Sequence, residues 1–419
     1  MYYKIDAIDS WFFRNPAPFD ASFNSYGESI FPPYPSVYAG ALQNCAVAIP
    51  NPERKVDNFT RALRIGWNGI MTDKHILFPL PLDLYITKNK EKDENKKEDS
   101  MYTAQIMQLA YSSGSSHPLR YFLTFKERDK NNKPLHIAGG GYFDEETMNS
   151  YLKGDNQEYK VVSLENYISK EAHIGIGINS STGTIEKGMF YQQNVIVPKK
   201  ISVEIYEDEI SKEKKIKYQL KQCSLALEAS GIEMPEKTAI VRLGGEGRLG
   251  KVTQIEKDLP IPVAPENKLA GDDYFKLYLA TPAIFEKGWL PGWINKEAGE
   301  KWIGKFTYKK HSVRMELISA AVERPVAVGG FRFNRPSELR YAVPAGSVYF
   351  FKLLDGKMED VIRLFHKKCI SDYRGSDDLS RERFFDKKRD RYRYCSRGFG
   401  YCLVGSISKV QKGEINDVR

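Results

Sequence analysis

Residues 244–250, GGEGRLG, stand between two stretches that alternate apolar and polar residues, KTAIVRL before them and KVTQI after them. Alternation puts every second side chain on one face, so both flanks read as strands and the loop between them as a tight turn. Gly245, Gly247 and Gly250 match GxGxxG, and Val252 extends the match to the form found in protein kinases. A dinucleotide site needs a helix directly after the glycines, with its free N–H groups on the pyrophosphate. Here a strand follows, and then the proline-containing linker DLPIPVAPEN. A kinase would also carry HRD and DFG motifs, and neither occurs. Two readings remain. The turn is a structural hairpin, or its Cβ-free backbone approaches phosphates with Arg242 and Arg248 supplying charge.

Charge widens the second possibility. The 419-residue chain carries a formal +9, which raises the prospect of a polyanionic partner. Its 25 tyrosines and 22 phenylalanines supply faces on which single-stranded bases stack. The run RERFFDKKRDRYRY, residues 381–394, interleaves the two kinds and leads into a second glycine turn, SRGFGYCLVGS, at residues 396–406. Arg397, Gly398 and Gly400 of that turn are therefore candidates for RNA contact, beside the alternative of a solvated loop. Five cysteines without a CxxC pair argue against a disulfide framework or a zinc knuckle. No metal or cofactor is expected. No stretch is apolar enough for a membrane span, and the first residues lack the pattern of a signal peptide, so the expected compartment is the cytoplasm.

Along the chain, residues 2–8 predict a first strand with Tyr3, Ile5 and Ala7 on one face, broken by Pro16 and Pro18. FPPYP precedes Ser36, placed as the N-cap of a buried helix VYAGALQNCAVAI that stops at Pro50 and Pro52. The charged segment 88–100 has nothing to bury and reads as a solvated insertion. Residues 207–217 read as a hairpin tip, and 174–190 as the outer part of a long projecting hairpin.

After the linker, YFKLYLA, INKEAGEKWI, SVRMELISAAV, AGSVYFFKLL, KMEDVIRLFHKKCIS and GYCLVGSI predict strand, short helix, two strands, amphipathic helix and strand. The second helix would bury Met358, Val361, Ile362, Phe365 and Cys369. This β-α-β-β-α-β order is the ferredoxin-like plan shared with RNA-recognition folds. The first half reads as the same unit swollen by insertions. The expectation is an α+β protein of two ferredoxin-like (RRM-like) domains, residues 1–262 and 263–419.

Several segments then collect in order: IDSWFFRNPAPFD, FPPYPSVYAGALQN, EAHIGIGINSSTGTIEKGMFY, GGEGRLG, LATPAIFEKGWLPGW, AGSVYFF and GFGYCLVGS. Together they resemble the RAMP superfamily of CRISPR-associated proteins, and within it subunit three of the type III-B (Cmr) effector complex. The resemblance runs from residue 9 to residue 406. It implies a prokaryotic antiviral ribonucleoprotein in which this subunit holds the 5′ tag of the crRNA. Its neighbours would be the large polymerase-like subunit and a backbone subunit, with target RNA met indirectly. It also implies a thumb-like role for the 174–190 hairpin, which would wedge against guide RNA or dock a neighbouring protein.

Within that frame Arg14 and Ser36 make a candidate anion site, a guanidinium beside free N–H groups at a helix start. With them stand Arg242, Gly244, Gly245, Gly247, Arg248 and the second turn. Ile174, Met189, Thr281 and Phe285 are candidates for contact with RNA or a subunit. Trp11, Phe12, Phe13 and Trp289 are assigned to the core. Some relatives are metal-independent endonucleases, which need a positioned base and a cation. Of six histidines, His173, just before GIGIN, is the one to test for that role. With no carboxylate pair of metal-ligand character and no nucleophile elbow, a binding role is expected.

Overall fold

The computed structural model describes residues 1–412 except 17–25, 48–61, 74, 89–101, 112–117, 126–139, 200, 208–213, 221, 233, 235, 298–300, 333–334, 337–338 and 373–393. The fold is mixed α+β, with many strands and few helices. Two antiparallel sheets organise it.

The first sheet has eight strands in the order Val162–Ser163, Gly141–Asp144, Ile76–Pro79, Arg64–Thr72, Cys223–Ser230, Tyr2–Ala7, Leu249–Ile255 and Thr238–Arg242. As the alternation predicts, Tyr3 and Ile5 are fully buried on one face. Helix α1, Pro35–Val47, covers that face, with Tyr38, Leu42 and Cys45 in the same apolar cluster as Ile5 and Leu225. It starts at Pro35, two residues earlier than the expected start at Val37. Proline fits the first helical position, where its missing N–H costs nothing. Ser36 is therefore inside the first turn, and Tyr34 accepts the N–H of Val37 at 2.9 Å.

Helix α2, Glu145–Lys153, is not among the elements expected from the sequence. Asp144 caps it, accepting the Thr147 N–H at 2.7 Å, and Gly154 ends it in the left-handed region.

The second sheet runs Ile294–Lys296, Trp302–Tyr308, His311–Ala321, Val348–Asp355, Tyr274–Leu279, Tyr401–Ser406 and Lys368–Cys369. INKEAGEKWI is not a helix. Ile294, Ala298 and Trp302 have helical spacing, but Ile294 pairs with Gly304 and Lys296 with Trp302 across a hairpin. Edge pairing to the sheet overrides the local pattern. Helix α3, Met358–Phe365, forms as expected and buries Met358, Val361, Leu364 and Phe365. It ends before Cys369, which lies instead in the edge strand paired with Tyr401. Its stripe therefore includes Leu364, and Ile362 is only partly buried.

The predicted long hairpin is present, Ile168–Ile178 against Ile185–Pro198. A second hairpin pairs Ile201–Glu207 with Lys214–Leu220, so the charged stretch expected as its tip, 207–217, belongs in part to the strands, and residues 208–213 lie outside the described residues. The 88–100 insertion beyond Lys88 and most of the basic-aromatic run 381–394 lie outside the described residues. The five cysteines are thiols rather than disulfides, and all but Cys369 are buried.

The two sheets share their core. One apolar cluster takes Phe78, Phe143 and Tyr151 from the first half and Tyr278, Phe350 and Leu403 from the second. No helix among the described residues is long and apolar enough to cross a membrane.

Candidate nucleic-acid interface

The glycine turn is built against the segment Ile8–Arg14. The Gly245 N–H donates to the Phe12 carbonyl at 2.8 Å, and the Ile8 N–H to the Leu249 carbonyl at 3.3 Å. Within the turn, Leu243 N–H meets the Arg248 carbonyl at 2.8 Å. Gly244 has φ +85°, and a Cβ there would stand 2.4 Å from the Phe12 oxygen. At Gly245 it would meet the Phe12 ring at 2.9 Å. These two glycines serve close chain packing. Gly247 differs: φ is +66° and nothing lies within 4 Å of a Cβ placed there. It is the open point of the turn.

The same segment reaches the base of the long hairpin. Trp11 and Ile196 exchange two backbone hydrogen bonds of 2.8 Å. Trp11, Phe12 and Phe13 are buried, as expected, and Trp11 stacks on Phe31 at 5.3 Å. Arg14 follows, exposed, bridged to Ser29.

Two residues facing each other at the hairpin base hold the turn's side chains. Gln193 donates to Glu246 Oε1 at 3.0 Å, and its partner His173 accepts from the Arg248 guanidinium at Nδ1, 3.3 Å away. Arg248 also ion-pairs with Asp9. Its buried Nε–H has no acceptor among the described residues. Sequence spacing could not place Asp9, His173 and Gln193 here, because each comes from a strand or loop distant from the turn that carries Glu246 and Arg248. Arg242 is exposed at the end of the adjoining strand.

The second turn is placed differently. Gly398 and Gly400 are buried, with φ +91° and +78°. The Gly398 carbonyl accepts from Thr281 Oγ1 at 2.7 Å, and the Gly400 N–H donates to the Pro282 carbonyl at 2.7 Å. Neither glycine offers its backbone to solvent, so the expected RNA contact at these two positions is corrected to an internal tie between segments. Arg397 beside them is half-buried. Thr281 and Phe285 are 2% and 4% exposed, which removes them as contact residues on this surface. Asp372 fixes the same region by accepting the N–H groups of Glu286 and Gly292. Trp289 is partly buried against the core, as expected.

On the long hairpin, Ile174, Ile176 and Ile178 share one face and are 65%, 48% and 60% exposed. Phe190 stands opposite Ile176 and Ile185 opposite Ile178, both also exposed. The backbone of Met189 lies in the same strand as Phe190. Among the described residues no group of His, Cys, Asp and Glu side chains is placed to hold a metal ion.

Family comparison decides the wider assignment. A family model described as CRISPR-associated protein (Cas_Cmr3) matches residues 3–406. The chain belongs to the Cmr3 family of CRISPR-associated proteins. Among curated proteins none matches it by sequence. Solved structures similar to this Cmr3-family chain include a cryo-EM structure of the Type III-B Cmr-beta bound to cognate target RNA, at 14% identity, 96% coverage of each chain and a TM-score of 0.49. A second state of Cmr-beta, with target RNA and AMPPnP, gives 14%, 95% of each chain and 0.46. The Csm3-Csm4 subcomplex of the type III-A interference complex gives 12% identity and 0.30, over 85% of this chain and 94% of that one.

Proposed function

We propose that the chain is a non-catalytic RNA-binding subunit of a type III-B CRISPR ribonucleoprotein in a prokaryotic cytoplasm. It holds the 5′ tag of the crRNA and caps the complex beside the large polymerase-like subunit and a backbone subunit. Membership of the Cmr3 family supports the setting. The observation that carries the local reading is the turn at 244–250, with open Gly247 and partly unsatisfied Arg248. It is tied to the segment that ends in exposed Arg14, and exposed Arg242 ends the strand that leads into it. Cβ-free backbone with guanidiniums in the same segments suits phosphate oxygens. Ser36, in the first turn of α1, extends this surface. Gly244 and Gly245 shape the turn, while Gly398 and Gly400 tie the second turn to Thr281 and Pro282. The exposed face of the long hairpin around Ile174, together with Met189 of the facing strand, contacts RNA or a neighbouring subunit.

The same proposal includes the domain plan. Each sheet holds four strands in the ferredoxin-like spatial order 4-1-3-2, in residues 1–262 and 263–419. Each half has one helix at a crossover of that plan, α1 in the first and α3 in the second.

Replacing Arg14 or Arg242 with alanine in the reconstituted complex is expected to weaken crRNA retention and to reduce the salt slope by about one per residue. Unchanged retention and slope would reject the surface.

A second reading has one observation in its favour. His173 and Arg248 together resemble the base and cation of a metal-independent processing endoribonuclease. Incubating the purified chain with labelled repeat RNA in EDTA separates the two. Site-specific cleavage lost in His173→Ala would replace the binding-only reading.

A further inference from the structure

A cavity of about 220 Å³ opens where the two halves meet, away from both glycine turns. One wall is the short hairpin Gln108–Tyr111 and Tyr121–Thr124, and the other is the second sheet. The lining combines four aromatic side chains, Tyr111, Tyr121, Tyr274 and Trp302, with Arg120, Lys301, Lys352 and one carboxylate, Glu316. Three cations against one acid leave the lining at a formal +2.

The cavity is built rather than accidental in its placement of groups. Tyr111 and Tyr121 are cross-strand partners with ring centroids 5.6 Å apart. Trp302 Nε1–H donates to the Pro118 carbonyl at 2.8 Å, which ties the second sheet to the connection between the two strands of the short hairpin. Tyr274, Lys352 and Glu316 lie side by side across three strands, and the Lys352 ammonium stands 5.5 Å from the Tyr274 ring centre. Lys301 meets Glu316 at 3.6 Å near the mouth.

Aromatic faces beside cations are the chemistry that holds a nucleobase and its phosphate. The volume is below the ~300–1,000 Å³ of pockets for drug-sized ligands, which limits the occupant to about one ring system. An acidic peptide would use the cations and leave the four rings unexplained. We propose that this cavity is a second nucleotide site. It takes one planar base against the tyrosine and tryptophan rings, with a phosphate on the surrounding cations. The nucleotide comes either free or as one residue of a single strand. None of the lining belongs to the surface proposed for the crRNA tag, so this inference stands or falls apart from that one.

The test uses the full chain and two rim variants, Tyr111→Ser and Lys352→Gln, with thermal unfolding to verify that each remains folded. Arg242→Ala serves as a control at the glycine turn. Binding of AMP, CMP, GMP and UMP is measured by calorimetry. Cross-linking of a 4-thiouridine single-stranded pentamer is mapped by mass spectrometry. Mononucleotide binding that weakens about tenfold in the rim variants but not in Arg242→Ala supports a site for free nucleotides. Binding of the pentamer alone, with cross-links at Tyr121 or Trp302 lost in the rim variants, supports a site for one residue of a strand. The proposal is overturned if wild type binds neither, or if folded rim variants bind as wild type does. It is equally overturned if those variants lose only a protein partner, which would make the cavity a docking groove.

Discussion

At the residue scale, the glycines of the first turn separate into two kinds. A Cβ at Gly244 would collide with the Phe12 carbonyl in addition to the strain of φ +85°. Gly244→Ala is therefore expected to cost about 2 kcal/mol or more, and Gly247→Ala about 1 kcal/mol, in denaturant unfolding. Equal costs would mean that the turn is not pinned to Phe12. The GxGxxG spacing made a tight turn legible, but not its partner, since Phe12 is a neighbour only after folding. His366 gives a second residue-scale expectation. It follows α3 directly, accepts the Val404 N–H at Nδ1 and donates from Nε2 to the Pro262 carbonyl. Burial, reinforced by the charge of Lys367, pushes its pKa from 6.5 down to about 4. Between those values the unfolded chain binds a proton that the folded chain refuses. The stability held above pH 6.5 should thus be lost as pH falls toward 4, by up to about 3 kcal/mol. His366→Asn should flatten that stretch of the pH–stability curve; an unaltered curve would assign it to other groups.

At the element scale, the sequence was readable where periodicity and local chemistry agree. The first strand and α3 follow from alternation and an amphipathic stripe. The long hairpin follows from its glycine- and threonine-rich middle between β-rich flanks. INKEAGEKWI misleads because its helical spacing is local while its strand pairing is not. α2 was legible and missed: Asp144 as N-cap, Glu145 and Glu146 in the first turn, Met148, Tyr151 and Leu152 on one stripe and Gly154 at the end are helix signals. The hairpin's exposed stripe is the sharper case. Ile174, Ile176 and Phe190 stand in water on one face, the kind of apolar stripe that marks a contact surface. Replacing all three with serine is expected to change unfolding free energy by only about 0.5 kcal/mol per site while lowering incorporation into the reconstituted complex. Pull-down of the other subunits would measure it. Normal incorporation with normal RNA retention would leave the stripe without an assembly role.

At the scale of the whole molecule, the two sheets are joined by a buried polar knot that no sequence pattern announces. Lys276, from the second half, and Asp83, from the first, are both fully buried, with Nζ 4.0 Å from Oδ2. The ammonium also sits 3.4 Å from the centre of the Tyr151 ring. Tyr151 donates to Asp83 Oδ1 at 2.7 Å, and Gln411, in the turn Lys409–Lys412, donates to Oδ2 at 2.9 Å. One carboxylate thus gathers both halves and the end of the described chain. Such a centre fixes geometry more than it adds stability, because removing charges from water costs several kcal/mol per ion. That cost shows in Lys276, whose pKa burial pushes from 10.5 down to about 8, against the opposing pull of Asp83. Below pH 8 both states carry the proton and the cost is felt in full. From pH 8 to 10.5 the folded chain releases it while the unfolded chain keeps it, so stability should rise with pH by up to about 3 kcal/mol. Lys276→Gln has nothing to titrate there. The unfolding free energy of wild type minus that of the variant should therefore climb across this window, and a flat difference would show that the ammonium is not held in a dry, fixed site. The same variant probes the joint between the halves: with Asp83 left uncompensated, the two sheets should lose cooperativity and unfold over a broader transition than in wild type.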